Sequence, residues 1–401
     1  MNDYIQKGTM DFRKANLALF AGAFSTFANL YMTQPVLPTL SKIFHISPAT
    51  ASLSLSLTTV ALAISMLIVG SLSEAWGRKP IMTFSMIAVA ILTLLIAFAP
   101  NYHMLLVLRI IQGVVFAGLP AIAMAYLGEE IEPASLGAAM GLYISGNSIG
   151  GLAGRIIMGT ISDIFSWRIG MITIGVISLL VAIAFYFLLP ASKHFKPEKL
   201  AFKPLVKSLV MHLKDPALLS LFGVGFLLMG SFVTMYNYIG FQLLAPPYSL
   251  SQTIVGWIFL IYLVGTFSSA WMGGLADNHG RYKILLSGIG LMFGGAALSL
   301  VGHLILKILG IAIFTFGFFG SHAIASGWVG RHATHDKAQA SSLYLFFYYV
   351  GSSIGGTSGG IFWSKFGWGG VISIILIFLI VATVLTYMIN QITSRNSAAQ
   401  G

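Results

Sequence analysis

An all-α polytopic membrane protein, with twelve transmembrane helices in two pseudo-symmetric six-helix bundles, is the fold class this sequence predicts. Three observations predict it. Of 401 residues, 57% are hydrophobic and only 8% are charged, whereas a soluble domain carries about 25% charge. That composition excludes both an ordinary soluble globular protein and a disordered chain. Apolar runs long enough to span a bilayer recur twelve times. The second six of these runs echo the first six.

The first sixteen residues, to Asn16, are mostly polar and carry Lys7, Arg13 and Lys14. No small-residue cleavage site follows and the first apolar run is too long for a signal peptide, so it is expected to be a retained first span. The runs fall near 17–38, 50–72, 81–99, 104–127, 137–161, 169–189, 217–244, 253–275, 284–302, 307–329, 339–362 and 369–390, and none has an Asp or Glu in its middle. Most joints are short and carry turn or cap signals: Ser47-Pro48, Ala99-Pro100-Asn101 and Pro133. The joint at 190–216 differs. It holds Lys193, Lys196, Lys199, Lys203, Lys207 and Lys214 between Pro190 and Pro216. The expected organisation is an N-terminal six-helix bundle over 1–189, a basic cytoplasmic linker over 190–216 and a C-terminal six-helix bundle over 217–401.

A net charge of +11 could point to nucleic acid, but its distribution points to a membrane. With the N-terminus inside, the inner segments hold 16 basic residues: Lys7, Arg13, Lys14, Arg78, Lys79, the six linker lysines, Arg281, Lys283, Arg331, Lys337 and Arg395. The outer loops hold 4: Lys42, Arg168, Lys307 and Lys365. This asymmetry predicts a multi-pass protein of the cell membrane with both termini cytoplasmic, and no nucleic-acid partner. The absence of cysteine excludes disulfides, thiolate metal sites and a cysteine nucleophile. No Gly-Lys dipeptide occurs, which excludes a P-loop. No enzyme, cofactor or metal is expected. His332 and His335 beside Asp336 are the nearest approach to a metal pattern, and they are expected to be a solvated loop.

The internal repeat has a nearly constant offset. The segment from Gly70 to Lys79, containing Glu74, Gly77 and Arg78, returns 203 positions later as Gly273 to Lys283, containing Asp277, Gly280 and Arg281. Gly146-Asn147-Ser148-Ile149-Gly150-Gly151 returns as Gly351-Ser352-Ser353-Ile354-Gly355-Gly356, and Phe165-Ser166-Trp167 as Phe366-Gly367-Trp368. Asn29 and Gln34 in span 1 match Asn237 and Gln242 in span 7. Parallel repeats of six spans are a secondary-transporter architecture.

On these residues the chain resembles the major facilitator superfamily over essentially its whole length. The loop around Glu74 resembles that superfamily's signature loop, with Glu74 where an Asp is usual. The second copy keeps the acid as Asp277. Leu105-x3-Arg109-x2-Gln112-Gly113 is similar to its span-4 motif. Gly146-x3-Gly150-Gly151-x2-Gly154 is similar to the span-5 motif associated with antiporters, with Gly151 replacing a usual Pro and Arg155 a usual Gly. A finer resemblance is to the acriflavine-sensitivity, drug-efflux-like branch. The resemblance implies that spans 1, 4, 7 and 10 line a central cavity.

Physical roles follow for each group. Gly70, Gly77 and Gly280 permit tight turns or close helix approach. Glu74 and Asp277 lie within reach of Arg78 and Arg281 or of a neighbouring helix N-terminus, either as a charge latch of the gate or as a loop that fixes topology. Gly146, Gly150, Gly151, Gly154, Gly351, Gly355 and Gly356 belong to helix-packing surfaces. Arg109 and Arg155 lie at a similar depth, about 8–9 Å from the outer ends of adjacent spans at 1.5 Å per residue. A charge there is costly, and three roles are open: snorkelling, an ion pair with Asp163, or handling of substrate or protons. Asn29, Gln34, Gln112, Asn237 and Gln242, with Tyr31, Tyr236 and Tyr238, offer either substrate contacts or interhelical hydrogen bonds. His322, the one histidine well inside a predicted span, is either a packing hydrogen-bonder or a proton carrier.

The expected function is secondary active transport of a small neutral or anionic amphipathic molecule, most simply proton-coupled efflux by a monomer. The partial span-5 motif favours efflux. The absence of an acid in the predicted spans disfavours a lipophilic cation. Proton-coupled uptake of a small anion or metabolite is the alternative. A non-transporting membrane sensor on the same scaffold is the alternative of another class. It would be marked by an added soluble domain, whereas only eleven residues follow Asn390.

Overall fold

The computed structural model describes residues 4–195, 197 and 202–400, with the backbone alone at 202, 203 and 394–400. Lys196 and Lys199 of the basic linker therefore lie outside the described residues, as do the side chains of Lys203 and Arg395. Apolar sequence of the observed length must satisfy its backbone internally, and it does so as helices. They run α1 Met10–Tyr31, α2 Leu37–Ile43, α3 Pro48–Trp76, α4 Arg78–Ala97, α5 Tyr102–Phe116, α6 Pro120–Glu130, α7 Pro133–Ile164, α8 Trp167–Leu188, α9 Phe202–Lys214, α10 Pro216–Leu244, α11 Gln252–Trp257, α12 Tyr262–His279, α13 Arg281–Leu298, α14 Leu304–His332 and α15 Lys337–Gln400.

Capping fixes several boundaries. The Thr9 hydroxyl accepts from Phe12 N at 3.2 Å to start α1. Asn101 and Ser166 do the same for α5 and α8. Asp215 accepts from Ala217 N and Leu218 N to start α10. Among the described residues, eight helical stretches are long and apolar enough to cross a membrane. One of them, Lys337–Thr393, is two spans, because Gly367 (φ 58°, ψ −146°) breaks α15. With α1, α7 and α13, the helical segments correspond to the twelve runs expected from sequence. Three of those runs are not continuous. Span 1 breaks after Tyr31 into a 3-10 turn at Gln34–Val36, span 4 breaks before Pro120, and span 8 passes through a 3-10 segment at Ile258–Ile261. At the first two breaks a proline removes an N–H donor and crowds the preceding turn.

The chain divides into two compact units. The first contains Met1–Phe44, Leu57–Ala201 and Ser251–Trp257; the second contains His45–Ser56, Phe202–Leu250 and Ile258–Gly401. In the first unit α7 lies against α1 on a ladder of glycines. A Cβ at Gly146 would sit 2.6 Å from Phe20 O, one at Gly154 would sit 2.5 Å from Ala28 O, and one at Gly150 would fall on the Phe24 backbone. The second unit repeats the device between α15 and α10, where a Cβ at Gly355 would be 2.5 Å from Gly230 O and one at Gly351 would fall on the Phe226 carbonyl. Glycines four residues apart on one helix thus meet carbonyls four residues apart on the other. Gly151 does not share this role: a Cβ there would make ordinary contact with Arg155 Nη1 at 3.4 Å and the Tyr31 ring at 3.8 Å. Gly356 faces Asn237 Nδ2 rather than backbone.

Gly77 and Gly280 end α3 and α12 at φ 95° and 89°, a region a side chain would strain. Gly70 is different from expectation: it is helical, with open space where a Cβ would point. All four basic residues expected in outer loops belong to helices instead: Lys42 to the last turn of α2, Lys365 to α15, and Arg168 and Lys307 to the first turns of α8 and α14. Lys307 is 2% exposed in the first turn of α14, with its ammonium donating to Ser299 O and lying over Trp368. Arg168 starts α8 and donates to Ala99 O at 3.2 Å. In both cases the cation binds a carbonyl just past the C-terminal end of another helix, α13 for Lys307 and α4 for Arg168.

Candidate functional site

In the first unit, Asn29, Arg109 and Gln112 form one buried polar network. Arg109 Nη1 donates to Asn29 O (3.1 Å) and Gln112 Oε1 (2.6 Å), and Nη2 donates to Leu30 O (2.9 Å). The carbonyls belong to the last turn of α1, where intrahelical donors run out, so the guanidinium acts as a C-terminal cap for a broken span. Gln112 Nε2 donates to Val89 O (3.2 Å) and Thr93 Oγ1 (2.7 Å). Thr93 donates to Asn29 Oδ1 (2.6 Å), while Asn29 Nδ2 donates to Ser25 O (2.7 Å) and Ser178 Oγ (2.6 Å). The network ties α1, α4, α5 and α8 together, and Arg109 is wholly enclosed in it. Thr93 and Ser178 were not foreseen, because isolated hydroxyls in apolar runs carry no sequence signal.

Arg155 belongs to a separate cluster. Its Nε donates to Gln34 Oε1 (2.8 Å), Nη1 donates to Gly151 O (2.7 Å), and the guanidinium stands 4.2 Å over the Tyr31 ring. Neither Arg109 nor Arg155 snorkels: they are 0% and 2% exposed. Asp163 partners neither in the expected way. It sits two turns beyond Arg155 on α7 and accepts from Thr253 Oγ1 (2.6 Å) and Thr253 N (3.2 Å) at the start of α11. The Thr253 hydroxyl and these backbone donors hold the Asp163 carboxyl below the usual range. A lowered carboxyl keeps its contribution above the unfolded value and loses it only as pH falls through the folded one. Gln252 strengthens the same contact: Thr39 Oγ1 donates to Gln252 Oε1 (3.2 Å) and Gln252 Nε2 donates to Pro35 O.

The second unit contains an aromatic enclosure. Tyr236 OH and Thr315 Oγ1 share a hydrogen bond of 2.7 Å. Phe232, Tyr262 and Phe318 pack around them, with Tyr236 and Tyr262 ring centroids 4.8 Å apart. On α14, His322 lies two turns beyond Thr315 on the same face. His322 Nδ1 and Tyr344 OH are 2.9 Å apart, and the Tyr348 ring is 4.6 Å from the imidazole. Asn237 is fully buried, with its amide next to Gly356. Tyr238 donates to Gly356 O, which joins α10 to α15. Gln242 is half-buried near the end of α10. Tyr262, Thr315, Tyr344 and Tyr348 belong to this enclosure and were missed by sequence reasoning.

The charge motif pairs differently from expectation. Arg78 is bidentate on Glu129, with Nη2 to Oε1 at 2.7 Å and Nε to Oε2 at 3.2 Å, and Nη1 donates to Ser73 Oγ. Glu74 is exposed. Among the described residues it makes no ion pair with Arg78, because Arg78 opens a new helix after the Gly77 turn and faces the end of α6. In the second copy Asp277 pairs with Arg331 at 3.0 Å and lies 3.7 Å from Arg281. Glu129 and Arg331 occupy equivalent places 202 residues apart, with opposite charge. The expected solvated loop at 332–336 is also more structured than anticipated. His335 stacks on His212 at 4.5 Å and His332 Nε2 is 3.2 Å from Asp215 Oδ2. Among the described residues, no group of His, Cys, Asp or Glu could hold a metal ion.

A model of the family described as Major Facilitator Superfamily matches residues 19–250 and 230–400. The chain belongs to the major facilitator superfamily. It is similar to the MFS-type transporter YybF of Bacillus subtilis, 57% identical over 94% of this chain and 94% of that one. It is also similar to the inner membrane transport protein YnfM of Escherichia coli, 45% identical over 95% of this chain and 91% of that one. In fold it matches a bacterial homologue of the human lysosomal transporter Spinster in an inward-facing, unoccupied conformation. The TM-score is 0.78 at 16% identity, covering 95% of this chain and 97% of that one. This major facilitator protein is therefore a membrane-embedded transporter of small molecules. Its polar network at Arg109 includes residues that resemble the superfamily's span-4 motif, and its α1–α7 glycine ladder includes residues that resemble the span-5 motif.

Proposed function

We propose that this transporter exports a small neutral or anionic amphipathic molecule in exchange for protons, as a monomer, with both termini in the cytoplasm. The observation that carries the reading is the enclosure around His322. It offers stacking faces, hydroxyl tips and one imidazole and, among the described residues, no carboxylate. An aromatic surface with a few polar tips suits an amphipathic ligand. The missing acid argues against a lipophilic cation. His322, paired with Tyr344, supplies the proton-exchanging group that membrane-embedded carboxylates supply elsewhere. The glycine ladder of the antiporter-associated motif supports the efflux direction.

In this reading Arg109 is a positioning residue, since its donors are engaged by α1 and Gln112. Arg155, Gln34 and Tyr31 hold the elbow between α1 and α2. Asp163 and Gln252 latch the start of α11 to that elbow on the outer side. Because α11 leads through the 3-10 segment at Ile258–Ile261 into α12, releasing this latch would let the span move. On the inner side Arg78–Glu129 and Asp277–Arg331 act as the charge latches, with Gly77 and Gly280 as their turns.

The test of His322 is transport in everted vesicles. His322→Gln should abolish accumulation driven by a pH gradient while substrate counterflow persists, and Tyr344→Phe should shift the pH profile. Gradient-driven accumulation equal to wild type in His322→Gln would remove the histidine from coupling. A second expectation concerns the inner latch. Glu129→Gln should slow transport several-fold more than Glu74→Gln, because only Glu129 carries a bidentate, partly buried partner. Equal rates in the two variants, measured by initial uptake into vesicles, would return the loop to a purely topological role.

A further inference from the structure

Helix α9 precedes the α10 span but does not continue it. Asp215 between them is extended (φ −80°, ψ 114°), and its carboxylate caps α10. One face of α9 is anchored to the protein. His212 is 1% exposed, its Nε2 is 3.3 Å from Asp336 O, and its ring stacks on His335 at 4.5 Å. Ser208, one turn earlier, is 6% exposed. The opposite side is apolar and open: Val206 is 56% exposed, Val210 43% and Leu213 37%. These three recur at i, i+4 and i+7, one stripe of a helix. Lys207 and Lys214 lie immediately beside that stripe, one step round the helix, and both are exposed.

An open apolar stripe bordered by lysines, at the mouth of a membrane span, is complementary to a surface that is apolar below and anionic above. We propose that α9 lies in the headgroup region of the adjoining leaflet. There it buries Val206, Val210 and Leu213 among acyl chains and places Lys207 and Lys214 against anionic phospholipid headgroups. Apolar burial sets its depth and the lysines make its attachment depend on lipid charge and salt. The His212 anchor holds the helix against the second unit, so that lipid composition would act on the segment joining the two repeats. This inference uses the membrane embedding of the chain and is independent of substrate, direction and coupling.

The chain contains no cysteine, so a single Val210→Cys, with Val206→Cys as a second site, can carry an environment-sensitive fluorophore in the full-length protein. The labelled protein is placed in nanodiscs of phosphatidylcholine alone or with phosphatidylglycerol. Spin-labelled lipid should quench the probe strongly in discs containing phosphatidylglycerol and less in phosphatidylcholine alone. Added salt, or Lys207→Glu with Lys214→Glu, should bring the first value down to the second. A probe quenched by aqueous iodide and untouched by spin-labelled lipid in both discs would overturn the proposal. Lipid quenching that is equal in both discs and unmoved by the charge reversals would overturn the anionic-headgroup assignment.

Discussion

Arg109→Ala should cost the protein its stability before it costs the protein its substrate. The variant deletes three hydrogen bonds at once, to Asn29 O, Leu30 O and Gln112 Oε1. Each buried acceptor left without its charged donor costs about 1–3 kcal/mol, against a total stability of about 5–15 kcal/mol. The loss spreads, because Gln112 also orders Thr93 and, through it, Asn29. A drop in melting temperature on the order of 10 °C is expected, since about 1 kcal/mol shifts a domain of this size by roughly 2–4 °C. Arg109→Lys should recover part of it, but a lysine cannot fork between two helices. Differential scanning fluorimetry in detergent makes the distinction. A role confined to substrate contact predicts an unchanged melting temperature with loss of ligand-induced stabilisation only.

The second large effect is at Gly150. A methyl group there would fall on the backbone of Phe24 in α1, closer than any real Cβ contact. Backbone cannot rotate away as a side chain can, so α1 and α7 must separate along the whole ladder. Overpacking of this kind costs about 1–3 kcal/mol at one site, and Gly146 and Gly154 would lose their contacts with it. Gly150→Ala should therefore reduce the yield of monodisperse protein severely, and Gly150→Leu should abolish it. Gly151→Ala is the internal control, since its Cβ would meet only side-chain atoms at ordinary contact distance, Arg155 Nη1 at 3.4 Å and the Tyr31 ring at 3.8 Å. Size-exclusion profiles of the variants measure this directly. Equal profiles for Gly150→Ala and Gly151→Ala would mean the helices are not held at the described separation.

Twelve apolar runs, a repeat and its glycines were legible because each is a pattern along the chain. What was not legible lies in pairings across it. Asn29 and Gln34 look like one polar pair in sequence, yet five residues on a helix differ by 140° in direction, and a break after Tyr31 separates them further. They serve different arginines. The breaks in spans 1 and 4 fall at Pro35 and Pro120, and the apolar runs read from hydropathy pass through both without a stop. Glu129 and Arg331 are charged residues at helix ends, indistinguishable from topology markers until Arg78 and Asp277 are placed beside them. Lys307 and Arg168 look like loop charges, but each binds a carbonyl just past the C-terminal end of another helix. Thr315, Tyr344 and Tyr348 acquire meaning only when α10, α14 and α15 bring them around His322.

Proton-coupled export is tested most directly by substrate accumulation in everted membrane vesicles under an imposed pH gradient, across a panel of neutral, anionic and cationic amphipathic compounds. The expected result is accumulation of a neutral or anionic compound when the vesicle lumen is acidic, collapsing on addition of an uncoupler. Accumulation only when the lumen is alkaline would show the proton and substrate moving together, and accumulation indifferent to the gradient would show no coupling. Either result would contradict the account.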